Sequence, residues 1–351
     1  HMGGKNSSPR PGWSHWNSFA GQGHYFYPGP ADRPAAERDF NVNGEMVPQE
    51  GYVTDLVTDA AVAWLEQCPA DQRFALVVGH KAVHAPFEPA PRHRDALADI
   101  DIPAVLPNTD EAYSGRPLWL RRIRESLFGV DNLYGGKWED FASWYRDYHR
   151  TLLSVDESVG RLLQTLTKLG RLDDTLFVFT SDNGFMFGER GVLDKRCMYE
   201  ESIRIPWVMR CPSIVPAGAR SDKLVLNLDM ASTLLAAAGL SAPDTMEGAS
   251  VLPLLAGETV QWRKDFLYTY FFERIFPQTP TVIGLRAEGW KYVSYHGVWE
   301  EPELFDLNKD PGETVNLARD ANYADRRRGL GKRLRGAMKR HGLLFNPDWK
   351  A

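Results

Sequence analysis

The strongest constraint on this chain is an alternation of long helical stripes with short, nearly continuous apolar runs. Between Tyr52 and Cys68 the residues Leu56, Val57, Ala60, Ala61, Trp64 and Leu65 recur at helical spacing, and Pro69 closes the helix. Phe74 to Gly79, Phe-Ala-Leu-Val-Val-Gly, predicts a buried strand. A long helix follows from Phe141 to Leu169, with Tyr145, Tyr148, Leu152, Val155, Val159, Leu162, Leu163 and Leu166 on one stripe and Gly170 at its end. The strands Thr175–Thr180 and Trp207–Arg210 and a helix from Asp229 to Ala238 continue the pattern. Strands that are apolar throughout are covered on both faces, so the expectation is an α/β fold: a mainly parallel sheet sandwiched by helices. Residues that do chemistry in such folds sit just past the carboxyl ends of strands.

Beyond about Trp262 the texture changes. Phe266–Phe272, Val282–Arg286, Trp290–Tyr295 and Glu303–Asp306 read as short strands of a small antiparallel sheet. This sets the expected division: a catalytic α/β domain over 1–261 and a C-terminal sheet-plus-helix subdomain over 262–351. The terminal helix is basic, but Leu330, Leu334 and Met338 recur every four residues, which favours an amphipathic helix with a solvated face over a polyanion patch. Residues 1–50, rich in Gly, Pro, His and aromatics, read as irregular.

Hydrophobic residues at 43% and charged residues at 25% belong to an ordinary globular protein with a substantial core. The net charge of −5 gives the whole molecule no reason to seek nucleic acid or an anionic membrane, so an anionic substrate must be met by a local cluster of cations. No run approaches about 18 apolar residues, so no membrane span is expected. His1-Met2-Gly3-Gly4 lacks the features of a signal peptide. The three cysteines show no Cys-x-x-Cys spacing.

Three segments carry chemistry. Ser181-Asp182-Asn183-Gly184 follows a strand directly, and a carboxylate beside an amide oxygen suits calcium or magnesium, although the same residues also make a turn or helix cap. Asp194-Lys195-Arg196 places two cations within one loop, able to grip an anion or simply to be solvated. His80-Lys81-Ala82-Val83-His84-Ala85-Pro86-Phe87 follows the other predicted strand, and His84 there is able to donate a proton to a leaving oxygen, with a structural histidine as the alternative.

The order of these segments resembles the formylglycine-dependent sulfatase family of the alkaline phosphatase superfamily. Phe177 through Pro212 is similar to that family's calcium- and sulfate-binding region, His80–Phe87 to its His-x-x-His-x-Pro-Phe segment, and Glu303-Leu304-Phe305-Asp306-Leu307 with Asp310-Pro311 and Asn316-Leu317 to its C-terminal signature. The resemblance implies calcium as cofactor with Asp182 and Asn183 as ligands. It implies sulfate contacts from Lys195, Arg196 and His84, with His84 also assisting the leaving oxygen. The opening His1-Met2-Gly3-Gly4 resembles a family segment that neighbours the nucleophile, which makes His1 catalytic by the same resemblance. The Gly21-Gln22-Gly23-His24-Tyr25 region and the Asp-Lys-Arg form of the loop resemble glycan sulfatases, so a sulfated carbohydrate is the implied substrate, with His24 among its contacts. Most relatives are exported, which implies a secreted or periplasmic location.

Two departures qualify this. None of Cys68, Cys197 and Cys211 stands in the Cys-x-Pro-x-Arg or Cys-x-Ala-x-Arg motif that yields formylglycine; Cys68, in Cys-Pro-Ala-Asp-Gln-Arg, has its arginine one residue too far on. The family's paired aspartates, its other calcium ligands, are also not found. The expectation is therefore a chain without the nucleophile segment, inactive alone, weak in calcium binding, and prone to self-association through an uncovered sheet edge. Arg190 stands where many relatives carry histidine and bears on substrate identity. The rival readings are a zinc phosphoesterase or phosphonate ester hydrolase of the same superfamily, which Asn183 disfavours, and a non-catalytic module that binds sulfated glycans.

Overall fold

The structure, a computed structural model, describes residues 6–29, 38–298 and 300–343. They divide into two compact units, residues 1–103 with 138–175, and residues 104–137 with 176–351. Among the described residues no helix is long and apolar enough to cross a membrane.

The first unit is organised by two helices, α1 (Val53–Gln67) and α2 (Phe141–Lys168). Asp140 caps α2 by accepting a hydrogen bond from the Ser143 N–H at 2.6 Å. Beyond its C-terminus Gly170 takes φ +66°, and the Arg171 N–H returns to the Leu166 carbonyl. The buried stripe of α2 is not the expected apolar one. Val155, Leu162 and Leu166 are buried as read, but Thr151, Ser154, Ser158 and Thr165 are buried with them, and Leu152 is exposed. Hydroxyls survive there because they bond locally, as Thr165 Oγ1 does to the Arg161 carbonyl at 2.9 Å. Across the helix pair, Thr58 Oγ1 lies 2.7 Å from Ser158 Oγ. Small strands precede α1: β1 (Asn17–Ser18), β3 (Asp39–Val42) and β4 (Glu45–Pro48) form one antiparallel sheet, and β2 (Phe26–Tyr27) pairs with β5 (Gly51–Tyr52). Tyr25, Tyr27, Phe40, Tyr52 and Val53 pack together beneath them. The expected strand at 74–79 is extended chain without a ladder, and Val77 is 69% exposed. A strand exists only where its N–H and C=O groups find a partner strand, and no described residue supplies one.

In the second unit β6 (Phe177–Thr180) pairs antiparallel with β7 (Trp207–Arg210), and the helix α3 (Asp229–Ala237) follows. Both strands and the helix fall where the apolar pattern puts them. The C-terminal sheet is also where it is expected: β8 (Asp265–Tyr270), β9 (Thr281–Ala287), β10 (Trp290–His296) and β11 (Glu303–Asp306), antiparallel in the order β11-β10-β9-β8. The amphipathic helix α4 (Ala324–Arg340) covers one face, with Leu330, Leu334 and Met338 against Ile283, Leu285 and Leu304. Each such side chain contributes roughly 1.5–3 kcal/mol by leaving water. The other face packs on Met186, Val192, Met198 and Tyr199. Gly284 makes room there, since a Cβ would sit 2.1 Å from Met198 Sδ. Every strand pair among the described residues is antiparallel. The expected mainly parallel sheet is therefore not formed by these residues, because the runs read as its members lack parallel partners.

Candidate functional site

The site residues read from the sequence fall in both units. Asp182, Asn183, Lys195 and Arg196 lie in the second unit, His24 and His84 in the first. His1 lies outside the described residues.

The turn leaving β6 is shaped by its own polar groups. Asp182 is exposed; its Oδ1 accepts the Asn183 N–H at 2.9 Å, and its carbonyl accepts Asn227 Nδ2 at 3.2 Å. Asn183 Nδ2 donates to the Gly184 carbonyl at 2.7 Å, which orients the amide and leaves Oδ1 as its acceptor end. Gly184 is required by close approach: its N–H donates to the Ser202 carbonyl at 2.9 Å, and a Cβ would meet the Glu201 carbonyl oxygen at 2.2 Å. The turn reading describes these residues: Asp182 and Asn183 hold the turn with their own polar groups. Their side-chain oxygens are hard donors that fit calcium in kind, but two of the 6–8 it takes. Among the described residues no three His, Cys, Asp or Glu side chains group closely enough to hold a metal.

The loop onward folds back on itself, with the Met186 N–H on the Asp194 carbonyl and the Gly188 N–H on the Val192 carbonyl, both at 2.9 Å. Its two cations have different surroundings. Arg196 bonds Asp194 at 2.6 Å, approaches Glu273 at 3.4 Å and lies 3.3 Å from the Phe276 ring centroid. Burial pushes the Asp194 carboxyl up from its usual range, with Arg196 opposing. Lys195 is half-buried and makes no ion pair among the described residues, while its carbonyl accepts Ser202 Oγ at 2.6 Å. Arg190 turns inward: its guanidinium bonds the Gly312 carbonyl at 2.6 Å, approaches Glu201 at 3.3 Å and stacks 4.0 Å from the Tyr199 ring centroid. Arg190, expected to bear on substrate identity, is thus buried within the second unit.

In the first unit the two histidines of the His80–Phe87 segment separate. His80 is half-buried, its Nε2 3.2 Å from Ser158 Oγ, and desolvation of the ring pushes it down to about 4, so it is neutral. His84 is half-buried, with Nδ1 2.7 Å from the Ala85 carbonyl. That contact makes Nδ1 the proton-bearing nitrogen and Nε2 the one that exchanges a proton. The His84 carbonyl accepts the Tyr25 hydroxyl at 2.9 Å. His24 lines a cavity of about 440 Å³ together with Tyr25, Tyr27, Lys81, Pro86 and Glu88. Lys81 is buried there, its Nζ 4.8 Å from the Tyr25 ring centroid.

Two features escaped the sequence reading. Ser202 bridges the Asp182 turn and the Lys195 loop, and a single buried serine gives no periodic signal. Lys291 is fully buried on β10 between Glu200 at 2.8 Å and Glu313 at 2.6 Å. Strand alternation puts Lys291 on the same face as the buried Val293 and Tyr295, a signal available to a period-two reading. Cys197 is buried, and burial pushes its thiol up to about 12, so it is no nucleophile.

The sulfatase family model matches residues 12–240, and that of the N-sulphoglucosamine sulphohydrolase C-terminal region matches 188–340. An N-acetylglucosamine-6-O-sulfatase of Bacteroides thetaiotaomicron is 31% identical over 94% of this chain and 68% of its own length. The N-acetylglucosamine-6-sulfatase of Bos taurus is 29% identical over 88% of this chain, which spans only 58% of it. These relatives are sulfuric ester hydrolases by name. A solved structure in complex with its substrate D-glucosamine-2-N,6-O-disulfate superposes with a TM-score of 0.85 at 28% identity, covering 98% of this chain and 79% of that one. The phosphonate monoester hydrolase of Agrobacterium radiobacter gives 0.70 at 28% identity, covering 84% and 63%. Structural neighbours and sequence relatives thus share the alkaline phosphatase-like fold, and the chain belongs to the sulfatase family.

Proposed function

We propose that this chain is part of a glycan sulfatase that hydrolyses the 6-O-sulfate ester of a glucosamine unit. The observation that carries the reading is the turn after β6, which offers Asp182 and Asn183 as adjacent oxygen donors in the same unit as Lys195, a cation with no ion pair among the described residues. The chemistry of the relatives' named substrates supports the sugar and the position.

In this reading Asp182 and Asn183 hold calcium, which when bound supplies positive charge to the sulfate oxygens. Lys195 contacts the sulfate. His84, whose Nδ1 lies on the Ala85 carbonyl, is a sulfate and leaving-oxygen contact by the family resemblance alone. His24, Arg196 and His1 are further substrate or catalytic contacts by the family resemblance. The formylglycine nucleophile does not fit this chain: no cysteine stands in the required motif and Cys197 is buried. The chain alone therefore binds without turning over. Residues 262–351 form the C-terminal subdomain, a reading supported by the sheet β8–β11 under α4. The mainly parallel, helix-sandwiched sheet belongs to the whole protein, and uncovered Val77 and Val208, 69% and 62% exposed, favour self-association of the chain without it. A secreted or periplasmic location rests on family resemblance.

The test is sulfate release from glucosamine 6-sulfate by the complete gene product, with and without chelator. Calcium-dependent release, lost in Asp182→Asn and Lys195→Ala, is expected. The likeness to a phosphonate monoester hydrolase supplies a second reading, and faster turnover of a phosphonate monoester than of the sulfate ester would replace the first.

A further inference from the structure

Ser202 stands where the two parts of the candidate site in the second unit meet. Its hydroxyl donates to the Lys195 carbonyl at 2.6 Å, and its own carbonyl accepts the Gly184 N–H at 2.9 Å. The residue is 2% exposed, so water does not compete for either bond. It also rides on a fixed base. Ser202 closes one turn of helix, Glu200–Ile203, whose first N–H donates to the Glu313 carboxylate at 2.7 Å. The Glu200 carboxylate of the same turn is held by Arg286 at 2.9 Å and Lys291 at 2.8 Å.

We propose that Ser202 is a positioning residue that sets Lys195 against the Asp182–Asn183 turn, through two separable attachments. The side chain holds the lysine loop, and the main chain holds the metal-ligand turn. The proposal rests on the reading of Lys195 as the sulfate contact and goes beyond it by assigning who places that contact. Its signature is a split: removing the hydroxyl frees the Lys195 backbone but leaves the Gly184 bond and therefore the oxygen donors in place. A residue that merely filled space would weaken both functions together or neither.

The experiment is calorimetric titration of the chain with glucosamine 6-sulfate and, separately, with calcium, for wild type, Ser202→Ala, Ser202→Thr and Lys195→Ala. Loss of one net hydrogen bond predicts a sugar affinity lower by about fivefold to tenfold in Ser202→Ala, with calcium affinity unchanged, and Ser202→Thr restoring the sugar affinity. Hydrogen exchange supplies a second reading: faster exchange over residues 193–197 and none added over 182–186. Equal loss of calcium and sugar binding, or no loss of either while Lys195→Ala loses the sugar, overturns the positioning role alone. Unchanged sugar binding in Lys195→Ala overturns the site reading and this proposal with it. Should Ser202→Ala fail to fold, Ser202→Cys, which keeps the bulk and donates weakly, carries the same outcomes.

Discussion

In the first unit the polar groups buried along α1 and α2 are neutral: Thr54, Thr58, Thr151, Ser154 and Ser158, with His80 kept uncharged among them. In the second unit charged side chains are buried as well, beside neutral ones such as Ser202, Ser232 and Thr233. Lys291 lies between Glu200 and Glu313, Arg190 bridges Glu201 and the 312–313 backbone, and Glu303 is buried beneath the hydroxyls of Tyr199 and Tyr295. Thr58 and Thr151 are satisfied by carbonyls of their own helices, which makes a neutral hydroxyl cheap to bury. Buried charges are costly to desolvate but fix direction, since each has one arrangement that pays its cost. Several of these ionic groups contact the Glu200–Ile203 turn and Arg190 of the loop that carries Lys195.

The largest expected effects cut each unit at its own anchor. Lys291→Met leaves the buried Glu313 carboxylate without its cation, while Arg286 still holds Glu200, and is expected to cost about 3–5 kcal/mol, read by denaturant unfolding with hydrogen exchange reporting loss in the second unit first. Trp144→Ala empties the cluster of Phe87, Phe141 and Trp144 and is expected to cost a similar 3–5 kcal/mol or so, with exchange rising first over 138–175.

Next in size is a pH response of opposite sign. Burial pushes Glu303 up to about 7, against the tyrosine hydroxyls, so its contribution is fully present below the ordinary glutamate value of 4.5 and is lost as pH rises toward 7. Burial pushes His80 down to about 4, so its contribution is present above 6.5 and is lost as pH falls toward 4. Each amounts to about 3 kcal/mol at most. Between those limits the second unit gains stability on acidification while the first loses it. Glu303→Gln and His80→Gln each flatten one limb, and hydrogen exchange resolved by peptide separates them. Parallel responses of the two units would break the comparison. The smallest effect is Asp140→Ala, which removes the α2 cap and is expected to cost about 1 kcal/mol by thermal unfolding.

The sequence was legible where periodicity decides. α1, α2, α3, β6, β7 and the four C-terminal strands lie within a residue or two of their predicted bounds; for α1 and the C-terminal sheet the reason is apolar side chains buried within the same unit, such as Leu65 on α1 and Ile283 and Leu285 on β9. It failed at 74–79, where an apolar run has strand character but no ladder partner among the described residues, and in assigning the α2 stripe, where hydroxyls replace leucines. The candidate site was legible as residue types in order, and Asp182–Gly184 forms the turn that its chemistry predicts. What the sequence hid was the support: Ser202, Lys291 and the inward path of Arg190 depend on which distant backbone carbonyl each finds, and spacing carries no record of that.

The central claim is that the turn after β6 and Lys195 receive a cation and a sulfate ester. A crystal structure of the complete gene product with calcium and glucosamine 6-sulfate tests it most directly. Calcium is expected at about 2.3–2.6 Å from the Asp182 carboxylate and Asn183 Oδ1, with the sulfate beside Lys195 Nζ. Calcium bound elsewhere, or a sulfate remote from Lys195, would contradict it.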